Sequence, residues 1–382
     1  MVRIHHIAIA WVAAATLAAC GGGGSDTTPR TEVTQLKVMG DSLADVGTFG
    51  IKFTLQGADI YPERIAQSYG LSKGCNFYRF TGQTFAANPT PGCLNFAIGG
   101  GVINGASSNL NAADPRIISV QLATAVAAGN HRPGDLLLIV GGGNDAAALV
   151  TAYLRAGQPA PAGDGGAAYA ALLGTQLSAA QVGAAVSGGA NGLATAGGQY
   201  MTALANTFFD QIKAQALDKG AQRVALLNMP GITNTPRFQA VLAGIGAAAG
   251  SAARTQSEAL FKGWVEAFNK QLATRASGNS AVALVDFYTS FNDQVANPAQ
   301  YALTNVTVPA CPVTGVGADR LPTYTFPTCS AATLGAAVPP TGAVGAGWWE
   351  SWAFSDGFHP TPYGHQLLAQ LISRTLAQAG WL

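Results

Sequence analysis

Charged side chains are scarce in this sequence. Asp, Glu, Lys and Arg together make up 10% of its 382 residues, whereas ~25% is usual for a soluble protein. The formal net charge is only +1, and the Lys and Arg residues form no cluster. A protein that binds nucleic acid needs a basic patch for the phosphates, so the sequence predicts no nucleic-acid partner. A surface poor in charge must instead be covered by Asn, Thr, Ser, Gln and Gly.

Histidines and paired metal ligands are also few. The chain has five histidines and five cysteines. None of them forms the Cys-x-x-Cys or His-x-x-x-His spacing that is typical of zinc sites. We therefore expect neither a metal ion nor another cofactor, and any catalysis has to come from the side chains and backbone of the protein.

No apolar run in the sequence is long enough to span a bilayer comfortably. The run at 7–17 follows Arg3 and leads into Leu-Ala-Ala-Cys at 17–20. A weakly positive start, an apolar stretch and small residues before a cysteine resemble a bacterial lipoprotein signal. The resemblance implies removal of residues 1–19 and attachment of lipid to Cys20. An ordinary secretory signal that is cut near Ala19 is the alternative.

Residues 20–34 are predicted to form a flexible tether, because Gly fills positions 21–24 and Ser, Asp, Thr and Pro follow. Two or more acyl chains at Cys20 would anchor the protein stably to a membrane. The absence of Asp after Cys20 resembles lipoproteins that are sorted to the outer membrane, if the host has one. The expected location is therefore the cell envelope, and the alternative is a secreted protein. In either case we expect a monomer.

The other four cysteines predict disulfide bonds. An even set of cysteines in an exported protein favours disulfides over metal binding, and four cysteines allow three connectivities. We prefer the connectivity that closes two local loops in regions rich in Gly and Pro, because neither bond then requires distant segments to meet. The predicted bonds are Cys75–Cys93 and Cys311–Cys329.

The rest of the chain, residues 35–382, is predicted to form one α/β domain. Short apolar runs with little alternation suit parallel strands that are buried on both faces. Such runs occur at 36–39, 94–98, 136–140, 223–227 and 282–287. Helical spacing of apolar residues separates and follows them, as at 260–272 and 367–372. The alternation predicts a three-layer α/β/α sandwich with a central, mainly parallel five-stranded sheet.

Two stretches interrupt this alternation of strands and helices. Residues 156–198 are dominated by Gly and Ala, with weak helical patterns at 167–173 and 179–186. Residues 309–347 are rich in Pro, Gly, Thr and Ala and contain both Cys311 and Cys329. We expect both stretches to be insertions in the domain, and the second to be an ordered loop held by its disulfide bond.

The sequence Gly-Asp-Ser-Leu at 40–43 follows the first predicted strand. Because Gly40 permits a sharp backbone turn, Ser42 would lie at the carboxyl end of that strand. Ligands of open α/β sheets bind at this edge, where backbone N–H groups can face a developing anion. Ser42 is therefore a candidate nucleophile, and a serine in an ordinary Gly-Asp-Ser turn is the alternative interpretation.

A nucleophilic serine needs a base, which is usually a histidine. His131 precedes the third strand, at the wrong end of a parallel sheet, and is expected to be a solvated turn residue. His365 lies within the last predicted helix, where an exposed position is expected. His359 lies just before that helix, three positions after Asp356. This spacing lets the carboxylate hold one ring nitrogen while the other faces Ser42.

Four separated blocks of the sequence resemble the GDSL/SGNH hydrolase family. They are Gly-Asp-Ser-Leu at 40–43, Asn-Phe-Ala-Ile-Gly-Gly at 95–100, Gly-Gly-Asn-Asp at 142–145 and Asp-Gly-Phe-His-Pro at 356–360. Each block is weak alone, but the four occur in the order that the family has. The resemblance covers about 36–382 and implies the flavodoxin-like fold of that family. Residues 286–307 are similar to its bacterial lipase, phospholipase and hemolysin-like branch.

The resemblance and the chemistry of ester hydrolysis assign roles to these residues. Ser42 would attack the ester, His359 would accept and return the proton, and Asp356 would orient the imidazole. The oxyanion would be bound by the Ser42 N–H and, as the resemblance implies, by the Gly100 N–H and the Asn144 side chain. The expected activity is that of a serine esterase or lipase that hydrolyses carboxylic esters.

The substrate is less defined than the reaction. The chain departs from the family's usual continuation after the first block, at Val46, Thr48 and Phe49, and it has Gly101 where Ala is common. Aromatic residues near the first and last blocks either flank an acyl chain or belong to the core. These residues are Phe49, Phe53, Trp348, Trp349, Trp352 and Phe354.

The expected substrate is a small-molecule ester or a lipid ester. Because stacked tryptophans also bind sugar rings, polysaccharide O-deacetylation is an alternative on the same fold. A non-catalytic surface-binding lipoprotein is a further alternative, although folding alone does not require Ser, Asn and His together at these positions.

Overall fold

A computed structural model of the protein describes residues 32–127, 129–158 and 163–382. The signal peptide predicted over 1–19, the lipid-attachment residue Cys20 and most of the tether predicted over 20–34 lie outside these ranges. Residues Glu32–Leu382 form one compact unit. Among the helices of the described ranges, none combines the length and the hydropathy needed to cross a bilayer.

The central sheet is parallel and consists of four strands. The strands in the described residues are β1 (Gln35–Met39), β2 (Tyr78–Phe80), β3 (Phe85–Ala87), β4 (Asp135–Ile139), β5 (Val224–Leu227), β6 (Val282–Val285), β7 (Val313–Val316) and β8 (Pro322–Tyr324). The order across the central sheet is β1-β4-β5-β6, and the other strands form two antiparallel hairpins, β2–β3 and β7–β8. The predicted α/β fold with a parallel sheet is confirmed.

The predicted number of strands, five, is wrong, because residues 94–98 do not form a strand. This segment runs alongside β1, where Val38 N–H donates to the Leu94 carbonyl at 3.0 Å and Phe96 N–H donates to the Val38 carbonyl at 2.7 Å. The side chain of Asn95 then accepts from the Ala97 N–H at 3.0 Å. Such a local side-chain bond competes with a regular ladder, and the segment remains an irregular edge.

The helices lie on both faces of the sheet. In chain order they are α1 (Tyr61–Ser68), α2 (Ile118–Ala125), α3 (Gly143–Ala156), α4 (Ala167–Leu173), α5 (Ala179–Ser187), α6 (Gly189–Gln215), α7 (Pro236–Ala276), α8 (Phe287–Ala296), α9 (Ala331–Ala336) and α10 (Pro362–Gln378). Helix α7 is interrupted at Gly250, whose φ of 88° lies outside the helical region. A Gly permits this conformation at little steric cost.

Alternate residues of the sheet face two separate cores. Leu137 and Ile139 of β4 belong to a core with side chains of α2, α3, α6 and α7. Leu136 and Leu138 belong to a second core with side chains of α1, α8 and α10. Because successive side chains of a strand point to opposite faces, this division produces the three layers.

The Gly/Ala-rich stretch at 156–198 contains α4, α5 and the first turns of α6. The small residues of α6 permit close packing on α7. A Cβ atom on Gly197 would lie 2.3 Å from the Trp264 ring, and that ring donates from Nε1 to the Ala194 carbonyl at 2.9 Å. The glycines that made this stretch look irregular in the sequence therefore allow two long helices to approach each other.

Residues 309–347, here called the stapled segment, share a small separate core with Leu55, Trp348 and Trp352. The disulfide Cys311–Cys329 is present, and so is Cys75–Cys93. The first of these bonds packs with other buried side chains in this small core. They are Leu55, Ala310, Phe326, Leu334, Trp348 and Trp352. The stapled segment is thereby fixed against the loop that follows Ser42.

Candidate active site

Ser42 lies in a turn at the carboxyl end of β1. The Ala44 N–H donates to the Asp41 carbonyl at 3.0 Å, and the Leu43 N–H donates to the Asp41 carboxylate at 3.0 Å. A Cβ atom on Gly40 would lie 2.5 Å from the Val140 side chain. Only a glycine therefore fits at position 40, directly after β1. The chain turns immediately after Gly40, and Ser42 is half-buried.

Gln121, a buried residue of α2, holds the backbone beside Ser42. Its Oε1 accepts from the Gly40 N–H at 2.7 Å, and its Nε2 donates to the Gly40 carbonyl at 3.0 Å and to the Pro115 carbonyl at 3.0 Å. The side chain has no exposed surface. One amide thus satisfies both polar groups of Gly40, a contact for which the sequence gives no signal.

His359 connects Ser42 with Asp356. Its Nε2 is 2.7 Å from the Ser42 Oγ, and its Nδ1 is 2.9 Å from each carboxylate oxygen of Asp356. With the ring proton on Nδ1, the imidazole donates to Asp356, and Nε2 is free to accept the proton of the serine. This is the geometry that a general base next to a nucleophile requires.

The carboxylate of Asp356 is fixed by the backbone of the residues that follow it. Its Oδ1 accepts from the Phe358 N–H at 2.8 Å and from the His359 N–H at 2.6 Å. Burial alone would raise the pKa of Asp356, but the charge of His359 and these hydrogen bonds hold the pKa below its ordinary value. The carboxylate is therefore ionised at neutral pH and is positioned to stabilise an imidazolium.

The glycine block at 99–101 borders the nucleophile turn. The Gly99 N–H donates to the Asp45 carboxylate at 2.8 Å. A Cβ atom on Gly101 would lie 2.4 Å from the Gly40 carbonyl oxygen, so the Ala that is common at this position would not fit. Gly100 has a φ of 78° and is exposed. Within the described ranges, no acceptor is bound to the N–H of Gly100 or of Ser42, and both can donate to a ligand.

Asn144 lies in the first turn of α3, beside the same glycines. One of its amide hydrogens is donated to the Gly101 carbonyl at 2.9 Å, which fixes the amide plane and leaves a second hydrogen for a ligand. The buried neighbour Asp145 accepts from the N–H groups of Ile103 and Asn104 at 3.0 and 2.9 Å. Burial raises the pKa of Asp145 to about 6 despite these bonds. Asp145 thereby ties α3 to the chain after the glycine block.

Phenylalanines surround the imidazole of His359. The ring centroids of Phe53 and Phe326 lie 5.2 and 5.6 Å from that of His359, and Phe358 lies at 6.4 Å. Phe326 comes from the stapled segment, and the sequence analysis did not identify it. Trp348 and Trp352 instead pack against each other in the small core, with ring centroids 4.6 Å apart. Of the two predicted aromatic groups, the phenylalanines after Ser42 face the site.

The predictions for the other two histidines are wrong. His365 is buried, and neither of its ring nitrogens has a hydrogen-bond partner. Burial lowers its pKa to about 3. His131 is also buried, with Nδ1 3.2 Å from the Lys37 ammonium. Both residues follow local patterns that are typical of exposed positions, and tertiary packing overrides those patterns.

Within the described ranges, no group of three or more His, Cys, Asp or Glu residues could hold a metal ion.

A family model described as GDSL-like Lipase/Acylhydrolase matches residues 36–372. This span runs from β1 into α10, so it contains Ser42, Gly100, Asn144, Asp356 and His359. No curated protein matches the chain.

Proposed function

The chain belongs to the GDSL-like lipase/acylhydrolase family, and on that basis we propose that it is a serine carboxylic ester hydrolase with Ser42 as nucleophile. Membership of the family implies hydrolase activity on esters. The observation that carries the finer proposal is the chain of contacts from Ser42 through His359 to Asp356, with distances of 2.7 and 2.9 Å. A serine needs such a base to become nucleophilic at neutral pH.

The proposed reaction has two halves. In the first, the Ser42 Oγ bonds to the ester carbonyl carbon while its proton passes to the His359 Nε2. The tetrahedral intermediate then collapses, the bond to the alcohol oxygen breaks, and the alcohol leaves with the proton from His359. In the second half, His359 takes a proton from water, which attacks the acyl group on Ser42. The second tetrahedral intermediate collapses, the bond between the acyl carbon and the Ser42 Oγ breaks, and His359 returns its proton to Oγ as the carboxylic acid leaves.

Negative charge develops on the carbonyl oxygen in both halves of the reaction. We assign its stabilisation to the N–H groups of Ser42 and Gly100 and to the free amide hydrogen of Asn144. The first two have no acceptor within the described ranges, and the third is oriented by the Gly101 carbonyl. Because these donors are already in position, no free energy is needed to reorient them when the charge appears.

Two other functions have less support. O-Deacetylation of a polysaccharide was suggested by stacked tryptophans, but Trp348 and Trp352 are buried in the small core. A non-catalytic binding lipoprotein would not need the 2.7 Å contact between His359 and Ser42. Ester hydrolysis requires both this contact and the oxyanion donors.

Kinetics of triad variants test this proposal. Ser42→Ala and His359→Ala should each lower kcat/KM for p-nitrophenyl butyrate by at least ~10⁴-fold, since removal of one triad member disables the other two. Their thermal unfolding midpoints should stay close to that of the wild type, because both side chains are half-buried at the surface.

The matched control is Ser72→Ala, which changes an exposed serine in another loop and should keep full activity. Retention of most of the activity by a folded Ser42→Ala or His359→Ala protein would refute the assignment of the triad.

A further inference from the structure

Four phenylalanines form a continuous row that begins at His359. The ring of Phe53 lies 5.2 Å from that of His359, and the ring of Phe49 lies 6.2 Å from that of Phe53. Phe49 then contacts Phe80 and Phe85 at 5.2 and 5.8 Å, and these two rings lie 5.3 Å apart. We call these four residues the phenylalanine strip.

Every member of the phenylalanine strip is half-buried. Each ring therefore presents one part to the protein and another part to solvent. Phe49 and Phe85 pack with their inner parts against the core. A row of neighbouring aromatic rings that keep exposed surface is unusual for core packing alone, because exposed apolar surface that is contiguous marks binding sites.

The strip starts on the side of the site where the carbonyl oxygen is expected. A Cβ atom on Gly99 would lie 2.3 Å from the Phe53 ring and 3.2 Å from the Phe49 ring. Both rings thus rest on the backbone that precedes Gly100. An ester whose carbonyl oxygen binds the Gly100 N–H therefore has its carbonyl carbon close to these rings, and a chain attached to that carbon can extend along them.

Both ends of the strip are defined by other contacts. At the near end, Phe326 of the stapled segment contacts Phe53 at 5.7 Å. At the far end, the Arg116 guanidinium lies 5.7 Å from the Phe85 ring centroid and is paired with Asp114 at 2.7 Å. The apolar surface therefore starts at the reacting groups and ends at an ion pair.

We propose that the phenylalanine strip is the acyl-chain subsite of this enzyme and that its preferred substrates are esters of medium or long fatty acids. The inference rests on the proposed esterase function and adds the substrate class. Aromatic side chains supply a large apolar contact area. An acetyl group would end at Phe53, whereas a longer chain would continue along Phe49 towards Phe80 and Phe85.

Chain-length profiles test this inference. The wild-type protein should hydrolyse p-nitrophenyl octanoate with a kcat/KM ~10-fold or more above that for p-nitrophenyl acetate, because each methylene that enters an apolar site adds to transition-state binding. Phe80→Ser and Phe85→Ser should each lower the ratio of octanoate to acetate ~5-fold or more. The ratio does not depend on how much of each sample is folded.

The matched control is Phe77→Ser. Phe77 lies next to the same hairpin, but its ring packs against Phe96, with centroids 4.7 Å apart, rather than in the strip. Its ratio of octanoate to acetate should equal that of the wild type, even if its stability falls.

A second pair of substrates, ethyl acetate and octyl acetate, places the long chain on the alcohol side. The ratio of kcat/KM for octyl acetate to that for ethyl acetate should be the same in the strip variants as in the wild type.

The outcomes separate this inference from the proposed function. A wild-type enzyme that is active on acetate without any preference for octanoate overturns the subsite and leaves the esterase standing. Loss of the alcohol-chain preference instead of the acyl-chain preference in Phe85→Ser also overturns it. If the wild type hydrolyses no ester and Ser42 is unreactive towards a fluorophosphonate, the proposed function fails, and the subsite fails with it.

Discussion

Gly40 shows how strongly the backbone beside Ser42 is constrained. Its missing Cβ atom makes room for Val140, both of its polar groups are bonded to Gln121, and its carbonyl leaves no space for a side chain on Gly101. The serine is thus attached to a backbone that cannot shift without breaking several contacts. Groups that are fixed in this way before substrate binds lose little entropy in the transition state.

Asn144 provides the residue-scale prediction. Asn144→Ala should lower kcat for p-nitrophenyl butyrate by ~10²–10³-fold with little change in KM, which is the usual loss for one oxyanion donor. The substitution also removes the hydrogen bond to the Gly101 carbonyl. Steady-state kinetics of the purified variant measure both constants.

Asn191→Ala is the matched control for that substitution, since Asn191 is exposed at the start of α6. It should have wild-type constants. A rise in KM with kcat unchanged in Asn144→Ala would make Asn144 a substrate-binding residue and not a donor to the transition state.

The triad members could be predicted from the sequence, and several of their supporting contacts could not. Ser42, Asp356 and His359 lie in blocks whose local spacing has a direct chemical meaning. Gln121 has no such signal, because a single Gln in an apolar helix pattern is compatible with many environments. Its role depends on where α2 lies relative to β1, which only the folded chain specifies.

At the level of elements, the stapled segment connects a disulfide to the catalytic histidine. Cys329 and Phe326 are both buried in the small core, and the Phe326 ring contacts the His359 ring at 5.6 Å. In addition, the Cys311 N–H donates to the Ser355 carbonyl at 2.8 Å, next to Asp356. The disulfide bond therefore restrains one wall of the site.

Removal of this disulfide tests the connection. The double variant Cys311→Ser/Cys329→Ser should lose ~3 kcal/mol of stability on the loop-entropy estimate and several-fold in kcat/KM for p-nitrophenyl acetate. The matched control is Cys75→Ser/Cys93→Ser, which removes a disulfide bond of the same sequence separation, 18 residues. It should lose similar stability and less activity on acetate. Equal activity losses in the two double variants would contradict a specific role for the stapled segment.

The elements themselves were mostly predictable, since β1, β4, β5 and β6 lie within a few residues of the predicted apolar runs. Their burial on both faces gives a direct sequence signal. Residues 94–98 are also mostly apolar, yet the Ala97 N–H donates to the Asn95 side chain, a local bond that competes with a regular ladder. The β7–β8 hairpin lies in a segment rich in Pro and Gly, where exposed strands leave no apolar pattern.

For the whole molecule, we propose that lipid on Cys20 holds the enzyme at the cell envelope. The small residues before Cys20 and the Gly-rich tether after it support the proposal. Both disulfide bonds are compatible with an oxidising compartment. An enzyme in that position would meet lipid or extracellular esters.

The anchor can be tested by Cys20→Ser. This change should move the protein from the membrane fraction to the soluble fraction or block its processing, because the thiol that receives the lipid is gone. A processed, folded variant should keep its activity on p-nitrophenyl butyrate. A wild-type protein that is wholly soluble, with an N-terminus other than modified Cys20, would contradict the lipid anchor. The protein would then be an ordinary secreted enzyme.

The most direct test of the account is the reaction of the purified protein with a fluorophosphonate, followed by mass spectrometry. We expect one adduct per chain, located on the peptide that contains Ser42. Folded His359→Ala should form no adduct at the same exposure, because its serine lacks the base. An unmodified wild-type protein, or an adduct on a different serine, would contradict the assignment of Ser42 as the nucleophile.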